Sequence, residues 1–152
     1  MELFRVTKEL YQHDLSGQGA YLNGGRWNGV GYAALYTASR RSLAILETVV
    51  HFRVPRPPED YVLVVLYVPD TLAMQNVSLD DLSKNWRKVT RETQQIGDEW
   101  LEKCQTPLLR VPSVIVNAEY NYILNPKHAD FQALKIINVE PLSFDERFFR
   151  KT

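Results

Sequence analysis

The sequence is short of several things that would each mark a particular kind of protein. It holds one cysteine, Cys104, in 152 residues. A lone thiol forms no internal disulfide and supplies too little of a zinc site, so a reducing compartment, the cytoplasm, is expected and no metal is. Neither charge is in surplus, since 18 Lys and Arg balance 18 Asp and Glu. Without a global field, neither nucleic acid nor an anionic membrane is an expected partner. The longest apolar run, Tyr61 to Val68, is eight residues bounded by Asp60 and Asp70, far below the roughly 20 that a spanning helix needs. It reads as a buried strand. The opening Met1-Glu2-Leu3-Phe4-Arg5-Val6 carries charge where a secretory leader needs an unbroken apolar core, so export is not expected. No internal repeat is present, and Pro55-Arg56-Pro57-Pro58 is the only segment that reads as a connector.

What is present is ordinary globular composition. Hydrophobic residues make up 45% and charged residues 24%, which excludes disorder and coiled coil and predicts one domain over residues 1–152. Leu3 to Val6 reads as a first strand, followed by six of the seven glycines between Gly17 and Gly31. Such a segment brings backbone close to a ligand, but it lacks dinucleotide or P-loop spacing. Tyr32 to Ala38 reads as a strand, and Ser39 or Ser42 is placed to cap a helix running to about Phe52. Strands are expected at Tyr61–Val68, Met74–Val77, Leu108–Val111, Ser113–Val116, Tyr120–Leu124 and Leu134–Val139. A short helix should open at Ser78, and a longer one should span Thr90–Lys103 with an interruption at Gly97. The sum is an α+β domain in which strands and helices do not strictly alternate.

Within the first long helix, Leu43, Leu46, Glu47 and Val50 share one face by their three-and-four spacing. A carboxylate in an apolar stripe needs a partner or a shifted pKa, so Glu47 is either half of an ion pair with an arginine or a functional group. His51, four residues on, reads better as a packed or surface histidine than as a metal ligand. Arg26-Trp27-Asn28 offers a planar cation and a ring that suit an anion clamp, against a surface arginine beside a core tryptophan. Tyr36 is equally a stacking platform or a core aromatic. Ser113 lacks a nucleophile elbow and is better placed as a hydrogen-bond donor. Asn117, Asn121 and Asn125 read as turn and cap residues rather than a ligand ladder. Lys84, Arg87, Lys88 and Arg91 surround Trp86 in the pattern of a phosphate-contacting helix, although most such runs are solvated faces.

Taken together, these blocks resemble the RES domain, a family seen mostly as bacterial toxins of toxin–antitoxin pairs. The likeness is carried in order by Gly25-Arg26-Trp27-Asn28, Ala34-Leu35-Tyr36-Thr37, Ala44-Ile45-Leu46-Glu47-Thr48-Val49-Val50-His51, Ile96-Gly97-Asp98-Glu99-Trp100-Leu101, Arg110-Val111-Pro112-Ser113 and Glu119-Tyr120-Asn121-Tyr122-Ile123-Leu124-Asn125-Pro126. The resemblance implies a fold similar to ADP-ribosyltransferases, with mixed sheets and flanking helices. It implies NAD as substrate, Glu47, Arg26 and Tyr36 as catalytic residues, and Arg26, Tyr36, Ser113 and Asn28 as its contacts.

The implied activity is cleavage of the nicotinamide–ribose bond by water or phosphate, depleting NAD and arresting growth. Transfer of ADP-ribose to a protein is the alternative. A cognate DNA-binding antitoxin that blocks the active site is the implied partner, and a homodimer stays open. With Arg26, Arg40 and Arg41 expected to flank the cleft, an acidic plug would suit its mouth. Two readings from other classes stand beside this one: a nucleic-acid-binding or translation-blocking module using the Lys84–Arg91 run, and a catalytically silent interaction domain.

Overall fold

In the computed structural model, which describes residues 1–149, the run Tyr61–Tyr67 forms β3 and sits inside a single seven-stranded sheet. The expected domain 1–152 is therefore described as far as Phe149, and residues 150–152 lie outside the described residues. The unbroken apolar character of β3 follows from burial on both faces. Val62, Val64 and Leu66 pack with Leu3, Leu35, Leu108 and Leu124 on one side. On the other side, Leu63 and Val65 pack with Phe4, Ala38, Leu43 and Ala44.

The remaining strands and α-helices are β1 (Glu2–Lys8), α1 (Gln18–Asn23), β2 (Leu35–Ala38), α2 (Arg41–Val49), β4 (Met74–Asn76), α3 (Thr90–Lys103), β5 (Leu108–Pro112), β6 (Tyr120–Leu124) and β7 (Lys135–Pro141). The strand order is β4-β5-β6-β2-β1-β3-β7. β4 and β5 pair in parallel and every other pair is antiparallel, so the sheet is mixed and the α+β expectation holds. A third cluster, built on Trp27, Trp86, Trp100, Leu109, Val111 and Ile123, packs α3 and the glycine-rich segment against the sheet.

Several local expectations need correcting. Neither Ser39 nor Ser42 caps α2: its N-cap is Arg40 and no side chain closes the end. Ser42 already lies in the first turn, and α2 stops at Val49 rather than Phe52. Ser113–Val116 is no strand, because the Ser113 Oγ accepts hydrogen bonds from the N–H groups of Ile115 and Val116, both at 3.0 Å, and turns the chain. α3 runs through Gly97 without a break. Residues 84–88 form turns rather than a helix, with Lys84, Arg87 and Lys88 exposed. The short helix after Ser78 is one 3-10 turn, Leu79–Asp81, held by reciprocal Ser78 and Asp81 contacts.

Among the described residues, no helix is long and apolar enough to cross a membrane.

Candidate active site

β2, β6 and β5 lie side by side in the sheet, with α2 against β1 and β2. This juxtaposition sets Glu47 from α2 against Asn121 from β6 and Ser113, which follows β5. The Ser113 Oγ donates to Glu47 Oε1 at 2.8 Å, and Asn121 Nδ2 donates to the same oxygen at 2.5 Å. Glu47 Oε2 receives no hydrogen bond from the described residues. None of the ion pairs among the described residues includes Glu47, so the arginine-paired alternative is not what the fold builds.

The apolar stripe of α2 is buried at its start, at Leu43 and Ala44, and opens toward its end, where Val50 is 42% exposed. There Glu47, Thr48, Val50 and His51 line a cleft of about 540 Å³. Arg26, Trp27 and Tyr36 line the same cleft from the glycine-rich side, and Val114 and Ile115 from the turn after Ser113. The fold thus gathers Glu47, Arg26 and Tyr36 around one volume.

The loop bearing Arg26 is held from below by Tyr36. The Tyr36 hydroxyl donates to Asn28 Oδ1 at 2.7 Å and accepts from the Trp27 N–H at 2.9 Å. Burial pushes this phenol well above its ordinary pKa, against the opposing pull of the Trp27 N–H. Gly25 is required here by close approach: a Cβ would stand 2.6 Å from the Tyr36 oxygen and 2.8 Å from Asn28 Oδ1.

α3 grips the loop from its other side. Thr93 Oγ1 donates to the Arg26 carbonyl at 2.6 Å, Gln94 Nε2 to the Gly25 carbonyl at 2.9 Å, and Asp98 Oδ1 accepts from the Gly29 N–H at 2.8 Å. Burial raises the Asp98 pKa, while the Gly29 N–H opposes that rise. Gly97 lets the two segments touch, since a Cβ there would lie 1.6 Å from the Trp27 carbonyl oxygen.

Arg26 is anchored by one prong. Its Nη1 donates to the Arg87 carbonyl at 3.1 Å and to the Trp86 carbonyl at 3.4 Å, while Nε and Nη2 have no partner among the described residues. Arg26 lines the cleft, so a guanidinium with two unengaged nitrogens stands at its wall.

Two of the expected cofactor contacts are engaged otherwise. The single hydroxyl proton of Ser113 goes to Glu47, and the residue is 2% exposed. Asn28 is fully buried; its two amide hydrogens are shared among the carbonyls of Ala20, Gly29 and Tyr32 and its Oδ1 accepts from Tyr36, leaving no atom for the cleft. Arg40 and Arg41 do not flank the cleft either, because they pair with Glu119 and Glu140.

Sequence reasoning missed Asn121, whose period-four companions suggested turns, and Arg5. Arg5 lines the cleft from β1, its Nη1 donating to the Asp14 carbonyl at 2.7 Å, and burial lowers its guanidinium pKa. The only available signal for Arg5 was its charge between the apolar Phe4 and Val6. Among the described residues, no group of three or more His, Cys, Asp or Glu is placed to hold a metal.

The model of the RES domain matches residues 2–145. A curated relative, the Prs ADP-ribosylating toxin of Sphingobium sp. (strain YBL2), is 43% identical over 142 residues, covering 91% of this chain and 88% of its own. A protein named Toxin Res from Yersinia enterocolitica serotype O:8 / biotype 1B (strain NCTC 13174 / 8081) is 40% identical over 147 residues, or 95% of each chain. Among solved structures, a chain of the M. tuberculosis MbcT-MbcA toxin-antitoxin complex superposes with a TM-score of 0.77. It has 17% identity and covers 97% of this chain and 86% of its own, which establishes the shared fold.

Proposed function

This chain belongs to the RES domain family, and from that premise we propose that it is the toxin of a toxin–antitoxin pair, acting in the cytoplasm as a single domain over residues 1–152. Its activity is cleavage of the nicotinamide–ribose bond of NAD by water or phosphate. The observation that carries the reading is the state of Glu47. Its Oε1 is fixed by two donors while Oε2 is left unpaired, on the wall of a cleft that Arg26 and Tyr36 also line. The relatives named as toxins support it.

When the bond between ribose C1′ and the nicotinamide nitrogen breaks, its electron pair leaves with nicotinamide, which departs neutral. Positive charge develops on the ribose. A carboxylate whose orientation is already set stabilises that charge without reorganising at the moment of reaction. Glu47 fills this role, its Oε2 facing the ribose or one of its hydroxyls. The free prongs of Arg26 pair the pyrophosphate, with the geometry that a guanidinium alone provides. The Tyr36 ring supports a flat group of the substrate while its hydroxyl keeps the Arg26 loop in place. Ser113 holds Glu47, and Asn28 holds Tyr36. The acceptor oxygen attacks C1′ and releases its proton to solvent or to a cleft base.

Transfer of ADP-ribose to a protein is a second reading, favoured by the printed name of the Sphingobium relative. The first step is the same, and only the acceptor differs.

The deciding experiment incubates the purified protein with NAD, with and without phosphate, and weighs the products. ADP-ribose marks hydrolysis, its phosphorylated form marks phosphorolysis, and a protein gaining the mass of ADP-ribose marks transfer. Intact NAD under all conditions overturns the reading. In cells, expression of this chain alone should stop growth and lower NAD, and coexpression of the DNA-binding antitoxin encoded beside it should restore both by blocking the cleft. Arrest with an unchanged NAD pool would overturn NAD depletion and promote either transfer to a protein or the translation-blocking module built on Lys84, Arg87, Lys88 and Arg91. Absence of any arrest would promote the silent interaction domain.

A further inference from the structure

Asn121 lies in the middle of the sheet, on β6, opposite Ala38 of β2 on one side and Val111 of β5 on the other. Ladders on both sides fix its backbone, so the direction of its side chain is set by the fold. Its Nδ2 donates to Glu47 Oε1 at 2.5 Å. Its Oδ1 is the one buried side-chain nitrogen or oxygen among the described residues with no hydrogen-bond partner. Buried polar groups are almost always paired, and each exception calls for a reason.

The reason here is Glu47. Turning the amide over would satisfy nothing, because it would set Oδ1 against a carboxylate and discard the bond that Nδ2 makes. An apolar side chain of similar shape would fill the position without stranding an acceptor. Ser113 differs, since it also takes the N–H groups of Ile115 and Val116 and so has a duty to the turn. Asn121 makes no side-chain hydrogen bond other than the one to Glu47.

We infer that Asn121 is a positioning residue for Glu47, placed at a net cost to the stability of the fold. A single donor would let the carboxylate swing about its terminal torsion. Two donors converging on Oε1 fix its plane and hold Oε2 toward the cleft. The kinetic part of this inference rests on the NAD reading above, and the stability part does not.

The test is Asn121→Leu in the full chain. Its melting temperature should equal or exceed the wild-type value, because the stranded acceptor is gone while Ser113 still serves Glu47. Its kcat for NAD consumption should fall at least about tenfold, the scale of one lost hydrogen bond to a charged group, with KM for NAD within about twofold. Wild-type kcat would overturn the inference, and so would a clearly lowered melting temperature in the folded variant. Where Asn121→Leu does not fold, the stability part fails, and Asn121→Ala, which equally lacks the donor, decides the kinetic part: slowed turnover with KM retained supports the role and full turnover overturns it. If the wild type consumes no NAD, the functional reading fails by itself. The melting comparison of Asn121→Leu with wild type then still judges the stability cost.

Discussion

Tyr36 and Asn28 are joined through a 2.7 Å hydrogen bond from phenol to amide, and the same phenol accepts the Trp27 N–H at 2.9 Å. One oxygen therefore ties the loop bearing Arg26 to β2. Tyr36→Phe strands a buried acceptor and a buried donor together, and should lower stability by about 1–3 kcal/mol in denaturant unfolding. The KM for NAD should rise with it, because Arg26 loses its footing.

The same phenol sets a pH dependence. Burial raises its pKa in the folded state, so above the ordinary phenol value of about 10 the unfolded chain releases this proton while the folded chain retains it. The stabilisation is complete below about pH 10 and is lost as pH rises beyond it. Denaturant midpoints from about pH 8 to about pH 11 should fall more steeply for wild type than for Tyr36→Phe. Parallel curves would remove Tyr36 as the cause.

Glu47→Gln tests the carboxylate with little disturbance. A glutamine oxygen accepts from Ser113 and Asn121 as Oε1 does, so the melting temperature and NAD binding should hold while turnover drops at least about a hundredfold. Calorimetric binding beside single-turnover kinetics separates the two effects. A folded variant with full NAD consumption would remove Glu47 from the chemistry.

Arg26→Lys keeps the charge and loses the fork. An ammonium cannot both bond the Trp86 and Arg87 carbonyls and present two parallel donors to a pyrophosphate, so KM for NAD should rise about tenfold or more. A wild-type KM would dismiss the clamp. The double variant Lys84→Ala with Lys88→Ala serves as its control, and NAD turnover should be unchanged, since both lysines lie outside the cleft.

Gly97→Ala reverses a general rule. Within a helix this change ordinarily stabilises by about 1 kcal/mol, but here the added carbon meets the Trp27 carbonyl oxygen at 1.6 Å. Either α3 or the Arg26 loop must shift. Stability should fall by about 2 kcal/mol or more, read by thermal melting, and NAD turnover should fall with it.

The parts of this molecule legible in the sequence are those governed by short-range periodicity. Thr90–Lys103 and Tyr120–Leu124 stand where their patterns put them, and Glu47 was conspicuous as a charge among apolar neighbours. What periodicity could not reveal was pairing at a distance. Ser113 is 66 residues from the carboxylate it holds and Asn121 is 74. Nothing local distinguishes a serine that serves a ligand from one that serves a glutamate. Ser113-Val114-Ile115-Val116 read as a strand, yet a side-chain oxygen capturing two nearby amides turns the chain there. Gly97 was misread for a related reason: a glycine that weakens a helix and one that admits a neighbour look alike until the neighbour is known.

The spacing between Glu47 and its two donors has a consequence for how the protein is made. α2 is synthesised early, but Ser113 and Asn121 follow more than sixty residues later, and β2 pairs with no other strand than β1 until β6 exists. A chain still on the ribosome therefore carries an unaimed carboxylate and half a cleft wall. Whatever chemistry the cleft performs can begin only after the last third of the domain has emerged.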